Sequence, residues 1–106
     1  MTPAPNEPVF SGGTWQLWPL RLQLLNAAAA HALTRCEARI LGLLIRHAGA
    51  PLTRAGALEL LRGDVLSSRA LDAHVFRLRH RIPNLPVRTI PGVGYAWQES
   101  KEISHA

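Results

Sequence analysis

The stretch Ser67–Ile82, SSRALDAHVFRLRHRI, constrains the fold of this chain more than any other. At 3.6 residues per turn, Leu71, Val75, Leu78 and Ile82 fall at i, i+4, i+7 and i+11, a narrow apolar seam that must be buried. The opposite side carries Arg69, Ala73, Phe76, Arg77 and His80, with Arg79 and Arg81 on its flanks. A solvated helix face normally mixes acids and bases at salt-bridge spacing. Here Arg69, Arg77, Arg79 and Arg81 stand against a single acid, Asp72. Arginine meets phosphate oxygens and guanine edges in a two-pronged fork, which lysine cannot do. An aliphatic seam behind and arginine in front suits a helix that reads DNA. Taken alone, the stretch is equally compatible with an ordinary amphipathic surface helix, so the surrounding sequence must decide.

Its 106 residues suit one domain able to bury a core without staples. At 47% hydrophobic and 18% charged, the chain is globular rather than disordered. The net charge of +5 and pI near 11.1 suit a polyanion partner. The location of that charge says more, because five arginines and one acid lie between Arg69 and Arg88. Cys36 is the only cysteine, which excludes a disulfide framework and a CxxC metal site and predicts a small buried hydrophobe. Histidines 31, 47, 74, 80 and 105 have no metal-ligand spacing, so neither metal nor cofactor is expected. No run approaches the about 18 apolar residues of a membrane span. The start, MTPAPNEP, lacks the regions of a signal peptide, and a cytoplasmic, membrane-free protein is expected. His31, Cys36 and Glu37 are close in sequence but form no nucleophile arrangement, and no enzymatic activity is expected.

Read in order, residues 1–9 form a proline-rich arm, 10–98 one domain, and 99–106 a tail without core pattern. Strand character runs through Thr14–Trp18, Arg21–Leu25 and Ala30–Leu33, which would make a small antiparallel sheet, although Ala27–Ala30 could instead begin a helix. Trp15, Trp18 and Trp97 are expected to pack on sheet faces. Thr34 and Glu37 have capping-box spacing before a leucine-rich first helix, which Ala48-Gly49-Ala50-Pro51 ends. Leu52-Thr53 leads into a second helix over Arg54–Leu61, capped by Thr53 and weakened locally by Gly56. Ser67 or Ser68 caps the third helix, about 68–82, and Pro83 ends it. Val87–Ile90 and Tyr95–Trp97 flank the turn Pro91–Gly94, where Gly92 and Gly94 are expected to supply positive φ. A hairpin directly after a basic helix is a wing. The fold class is therefore α+β: a winged helix-turn-helix with an N-terminal antiparallel sheet, three helices and a C-terminal β-hairpin.

Leu33-Thr34-x-x-Glu37, Leu52-Thr53-Arg54, Arg69 through Arg79, and Arg88-Thr89-Ile90-Pro91-Gly92-Val93-Gly94-Tyr95 together resemble the OmpR/PhoB-type effector domain of bacterial two-component response regulators, over about residues 10–98. The resemblance implies a four-stranded N-terminal sheet, a third helix in the major groove, a wing (about 87–97) at the minor groove, and dimers on direct-repeat double-stranded DNA. It puts Arg69, His74, Phe76, Arg77 and Arg79 on DNA, and Thr89 and Tyr95 at the phosphate backbone. With the rest of the outward face and neighbouring cations, the candidate DNA-contacting set is Arg62, Arg69, Ala73, His74, Phe76, Arg77, Arg79, His80, Arg88, Thr89 and Tyr95.

The sequence departs from the family at three points. Arg62 stands where a tryptophan is usual, beside the loop by which activators of the family contact RNA polymerase. Pro91 replaces a frequent wing arginine, leaving Arg88 as the nearest cation, with side-chain parity opposite to Thr89. No receiver domain accompanies the effector, so control by aspartyl phosphorylation is not expected of this chain alone. The competing reading is a winged-helix protein-interaction module that binds another regulator or RNA polymerase.

Overall fold

A computed structural model describes residues 9–10, 14–27 and 29–99; the arm before Val9 and the tail after Glu99 lie outside the described residues. Strands β1 (Val9–Phe10), β2 (Gln16–Trp18), β3 (Gln23–Leu25) and β4 (Ala30–Ala32) form one antiparallel sheet in that order. Leu17 and Leu24 pair across it and are fully buried, so the alternating pattern sends every second side chain to the core. The sheet gains β1, within residues expected as arm and domain start. β3 starts at Gln23 rather than Arg21, because Leu22 takes the left-handed conformation (φ 55°) that turns the chain back. Residues 30–32 form a strand and not a helix start. The turn before them is closed by Asn26, whose amide donates to the Ala29 carbonyl (3.0 Å) and whose Oδ1 accepts from the Ala29 amide (2.9 Å).

Helix α1 (Arg35–Arg46) begins in the expected capping box. The Glu37 amide donates to Thr34 Oγ1 (3.1 Å) and the Thr34 amide to Glu37 Oε1 (2.9 Å). Its apolar face, with Ile40, Leu41, Leu44 and Ile45, is buried. Strand β5 (Leu52–Thr53) follows, then α2 (Arg54–Leu60), capped by Thr53, whose Oγ1 accepts from the Gly56 amide (2.9 Å). An added Cβ at Gly56 would lie 2.9 Å from that hydroxyl, so this glycine accommodates the cap as much as it weakens the helix. Helix α3 (Ser68–Arg81) is capped by Ser67, and its seam of Leu71, Val75, Leu78 and the capping Ile82 is buried throughout. No helix among the described residues is long and apolar enough to cross a membrane.

Strands β6 (Val87–Ile90) and β7 (Gly94–Trp97) form the expected hairpin, joined by β5 into a three-stranded sheet of order β5-β7-β6. Sequence reading missed β5 as a strand. Flanked on both edges, β7 is buried at all four residues. The Val93 amide donates to the Ile90 carbonyl (2.9 Å), and Gly92 has φ +74°, a type II turn with Pro91 at its second position. Gly94 has another reason to be glycine. A Cβ there would stand 2.1 Å from the Leu52 carbonyl oxygen, so close approach to β5 imposes it, not positive φ. Trp97 meets Trp15 edge to face at 6.1 Å, tying the two sheets through one core. Trp18 differs: it is half-buried, with the Arg21 guanidinium 4.4 Å above its ring.

Candidate nucleic-acid interface

With its seam buried, α3 turns Arg69, Phe76, Arg77 and His80 to solvent, with Ala73 half-buried between them. Phe76 is 60% exposed, and its ring lies against that of His80, with centroids 4.3 Å apart. Arg69 has no side-chain partner among the described residues, and neither does Arg88 on β6. These groups are free to meet a ligand.

The other cations have structural partners. Arg81 makes a two-pronged contact with Glu37 (2.6 and 3.0 Å) and donates to the Ala32 carbonyl (3.2 Å), fastening the end of α3 to the start of α1. Burial would raise the Glu37 carboxyl, but hydrogen bonds from Arg81 and from the Thr34 backbone outweigh it and hold the group below its ordinary value. Arg79 donates to the Val87 carbonyl (3.1 Å) and to Thr89 Oγ1 (2.9 Å), fixing the wing against α3. Thr89 therefore faces α3, and Arg88 lies on the opposite side of β6. Arg62 turns back to Glu59 on α2 (2.7 Å).

Tyr95 and His74, also expected on DNA, have partners within the fold too. Tyr95 is 5% exposed, and its hydroxyl donates to Asp72, which also receives Arg54 Nε (2.9 Å). Its position on the central strand β7 puts the ring in the core, where its hydroxyl holds Asp72 in place. The Tyr95 bond, with help from Arg54, holds the Asp72 carboxyl below its usual range, and burial with Asp72 pushes the phenol up. Arg54, which sequence reading left out of the site, thereby links α2 to α3; one arginine at a helix start carries no signal of this. His74 is half-buried between α3 and α1. Arg77 Nη2 donates to its Nδ1 (3.3 Å), so Nε2–H is left to donate to Cys36 Sγ (3.5 Å), and that thiol donates to the Asp64 carbonyl (3.5 Å). Burial and the Asp64 and Glu37 carboxylates raise the Cys36 thiol, consistent with a protonated donor. His74 thus supports Arg77 from behind, and Cys36 is a hydrogen-bonded, half-buried group instead of a plain hydrophobe.

A buried-seam helix that presents arginine, preceded by a shorter helix and followed by a hairpin locked to it, defines the winged helix-turn-helix class. Residues 28–97 match the family described as "Transcriptional regulatory protein, C terminal", and the chain belongs to that family of OmpR/PhoB-type DNA-binding domains. It is 33% identical over 91 residues to the response regulator protein PmrA of Pseudomonas aeruginosa, covering 83% of this chain and 41% of that protein. Among solved structures, the DNA-binding domain of Bacillus subtilis CssR superposes with a TM-score of 0.66 at 29% identity, over 77% of this chain and 97% of that one. The Klebsiella pneumoniae RstA DNA-binding domain, solved in complex with the RstA box, shares the fold with a TM-score of 0.71 at 24% identity, over 86% of this chain and 96% of that one. The chain spans less than half the length of the curated relatives it matches.

Proposed function

We propose that the chain acts as the sequence-reading part of a transcription regulator, with α3 in the major groove of duplex DNA and the β6–β7 wing at the neighbouring backbone or minor groove. The observation that carries this reading is the division of labour on α3. Of its flanking cations, Arg81 is spent on an ion pair with Glu37 and Arg79 braces the wing while staying exposed, whereas Arg69, Phe76, Arg77 and His80 face outward together. Arg69 and Arg77 suit guanine edges or phosphates, Phe76 suits a thymine methyl group, and Ala73 allows close approach. Arg79 with Thr89, and Arg88 on the other face of β6, suit phosphates that fix register. The RstA domain, of the same fold, was solved on its own box, which supports a duplex as the ligand. By resemblance, two copies bind direct repeats in tandem, and the α2–α3 loop, where Leu66 is 87% exposed, meets RNA polymerase.

Selection of bound sequences from a random duplex pool with the purified chain tests the proposal. Enrichment of a short motif is expected, repeated in direct orientation if tandem binding holds. Arg69→Ala should lower affinity for that motif by about 1–3 kcal/mol and relax one base position. Failure to enrich any motif at low salt would sink the reading.

A further inference from the structure

On the side of α1 away from Glu37 lies a groove that DNA reading does not use. Arg35, Arg39, Gly42 and Arg46 fall at i, i+4, i+7 and i+11, so they form one stripe, and Glu37 stands about 200° round the helix from Arg35. Between this stripe, the β2–β3 turn and the end of α2 is an open cavity of about 540 Å³. Leu17, Leu22, Leu43 and Leu61 form its apolar floor, and Leu20 (65% exposed) and Leu60 (51%) stand at its rim. The two exposed leucines extend the apolar floor out to the rim of the groove.

The charge around this groove is one-sided. No acidic residue lines it. Arg39 is held by Asp64 (3.1 Å) and by the Leu60 carbonyl (3.3 Å), which braces the end of α2 against α1. Arg35 and Arg46 have no partner among the described residues, one at each end of the stripe. Gly42 sits between them in mid-helix, where glycine is the least favourable ordinary choice. Packing does not demand it. Its φ is not positive, and an added Cβ would make an ordinary 3.5 Å contact with Leu17 Cδ2. What glycine does there is leave the groove unfilled.

We infer that this groove binds an acidic amphipathic helix of another protein, its leucine-type face on the apolar floor and its carboxylates on Arg35 and Arg46. The stripe runs about 16 Å, which matches about three turns of a helical segment. Helix-in-groove docking uses anchors at i, i+3 or i+4 and i+7, and arginine favours carboxylates by its fork. Duplex DNA fits the two cations but not the leucine floor.

The probe is a labelled helical peptide of about four turns with leucines at i, i+3, i+4 and i+7 and glutamates elsewhere, beside a scrambled peptide of the same composition. At physiological salt the amphipathic peptide should bind saturably, with amide shifts centred on Gly42, Leu20 and Leu60. Gly42→Met, which fills the groove, and Leu20→Ser should each weaken it about tenfold. Both variants should keep the parent melting temperature within a few degrees and the parent affinity for duplex DNA. Arg35→Gln with Arg46→Gln should weaken the peptide by a similar factor. Equal binding of the scrambled peptide, indifference to Gly42→Met, or displacement of the peptide by duplex DNA or by anionic vesicles would overturn the inference.

Discussion

Phe76 is the position at which specificity and stability separate most cleanly. Its ring is outside the core, against the ring of His80. Phe76→Ala should therefore leave the melting temperature nearly unchanged, relax preference at one or two base positions, and keep the salt dependence of binding. A lower melting temperature with unchanged preference would make the ring a packing group. Tyr95 reverses this logic. Tyr95→Phe removes one hydrogen bond to Asp72 and should cost about 1 kcal/mol in denaturant unfolding, with little effect on affinity for DNA. Lost affinity at unchanged stability would return Tyr95 to the contact surface. The difference between these two residues was only half legible in the sequence. Helical periodicity assigns Phe76 a side, but nothing in the hairpin motif tells that a third strand, β5, will cover Tyr95.

The elements are joined by a few specific contacts, and these can be tested. Because Glu37 is held below its ordinary value near 4.5, the unfolded chain takes up its proton first as the pH falls. The stability from this group is complete above that value and fades as pH drops through the lower folded one. Glu37→Gln should destabilise the domain by about 1–3 kcal/mol at neutral pH, a moderate loss because Arg81, 45% exposed, can turn to water. The gap to the parent should narrow in acid unfolding below pH about 4; a gap that is constant with pH would mean that the ion pair is not its source. In the wing, Gly94→Ala meets the Leu52 carbonyl and should cost about 2 kcal/mol or more, whereas Gly92→Ala meets open space and should cost about 1 kcal/mol of backbone strain. Thermal unfolding of both variants orders the two effects, and the reverse order would place the constraint in the turn. The capping box, the α3 seam and the hairpin were all legible because each is a pattern within one short continuous stretch of sequence. β5 was not, since a two-residue strand is created by its neighbour β7 and has no periodicity of its own.

For the whole molecule, the number of cations left for DNA is smaller than the net charge suggests. Arg39, Arg54, Arg62 and Arg81 are each paired with an acid, and Arg35 and Arg46 lie on the α1 groove. Arg21 lies over the Trp18 ring, and Arg69, Arg77, Arg79 and Arg88 remain on or beside the proposed interface. Log affinity against log salt should then fall with a slope of about −4 per domain. A slope near zero would contradict duplex binding, and one beyond about −7 would draw the α1 arginines onto DNA as well. Basic composition and the α3 pattern pointed to a polyanion, but only the folded chain separates spent cations from free ones. That separation bears on how a regulator of this kind acquires new targets. Arg79, Arg81 and Asp72 clamp α3 from its flanks, so positions 69, 73, 76 and 80 have almost no part in keeping the domain folded. On the proposed docking of α3, a duplicated copy would change its operator by substitution at these few codons without passing through an unstable ancestor, and the same four positions are where a designer would begin to retarget it.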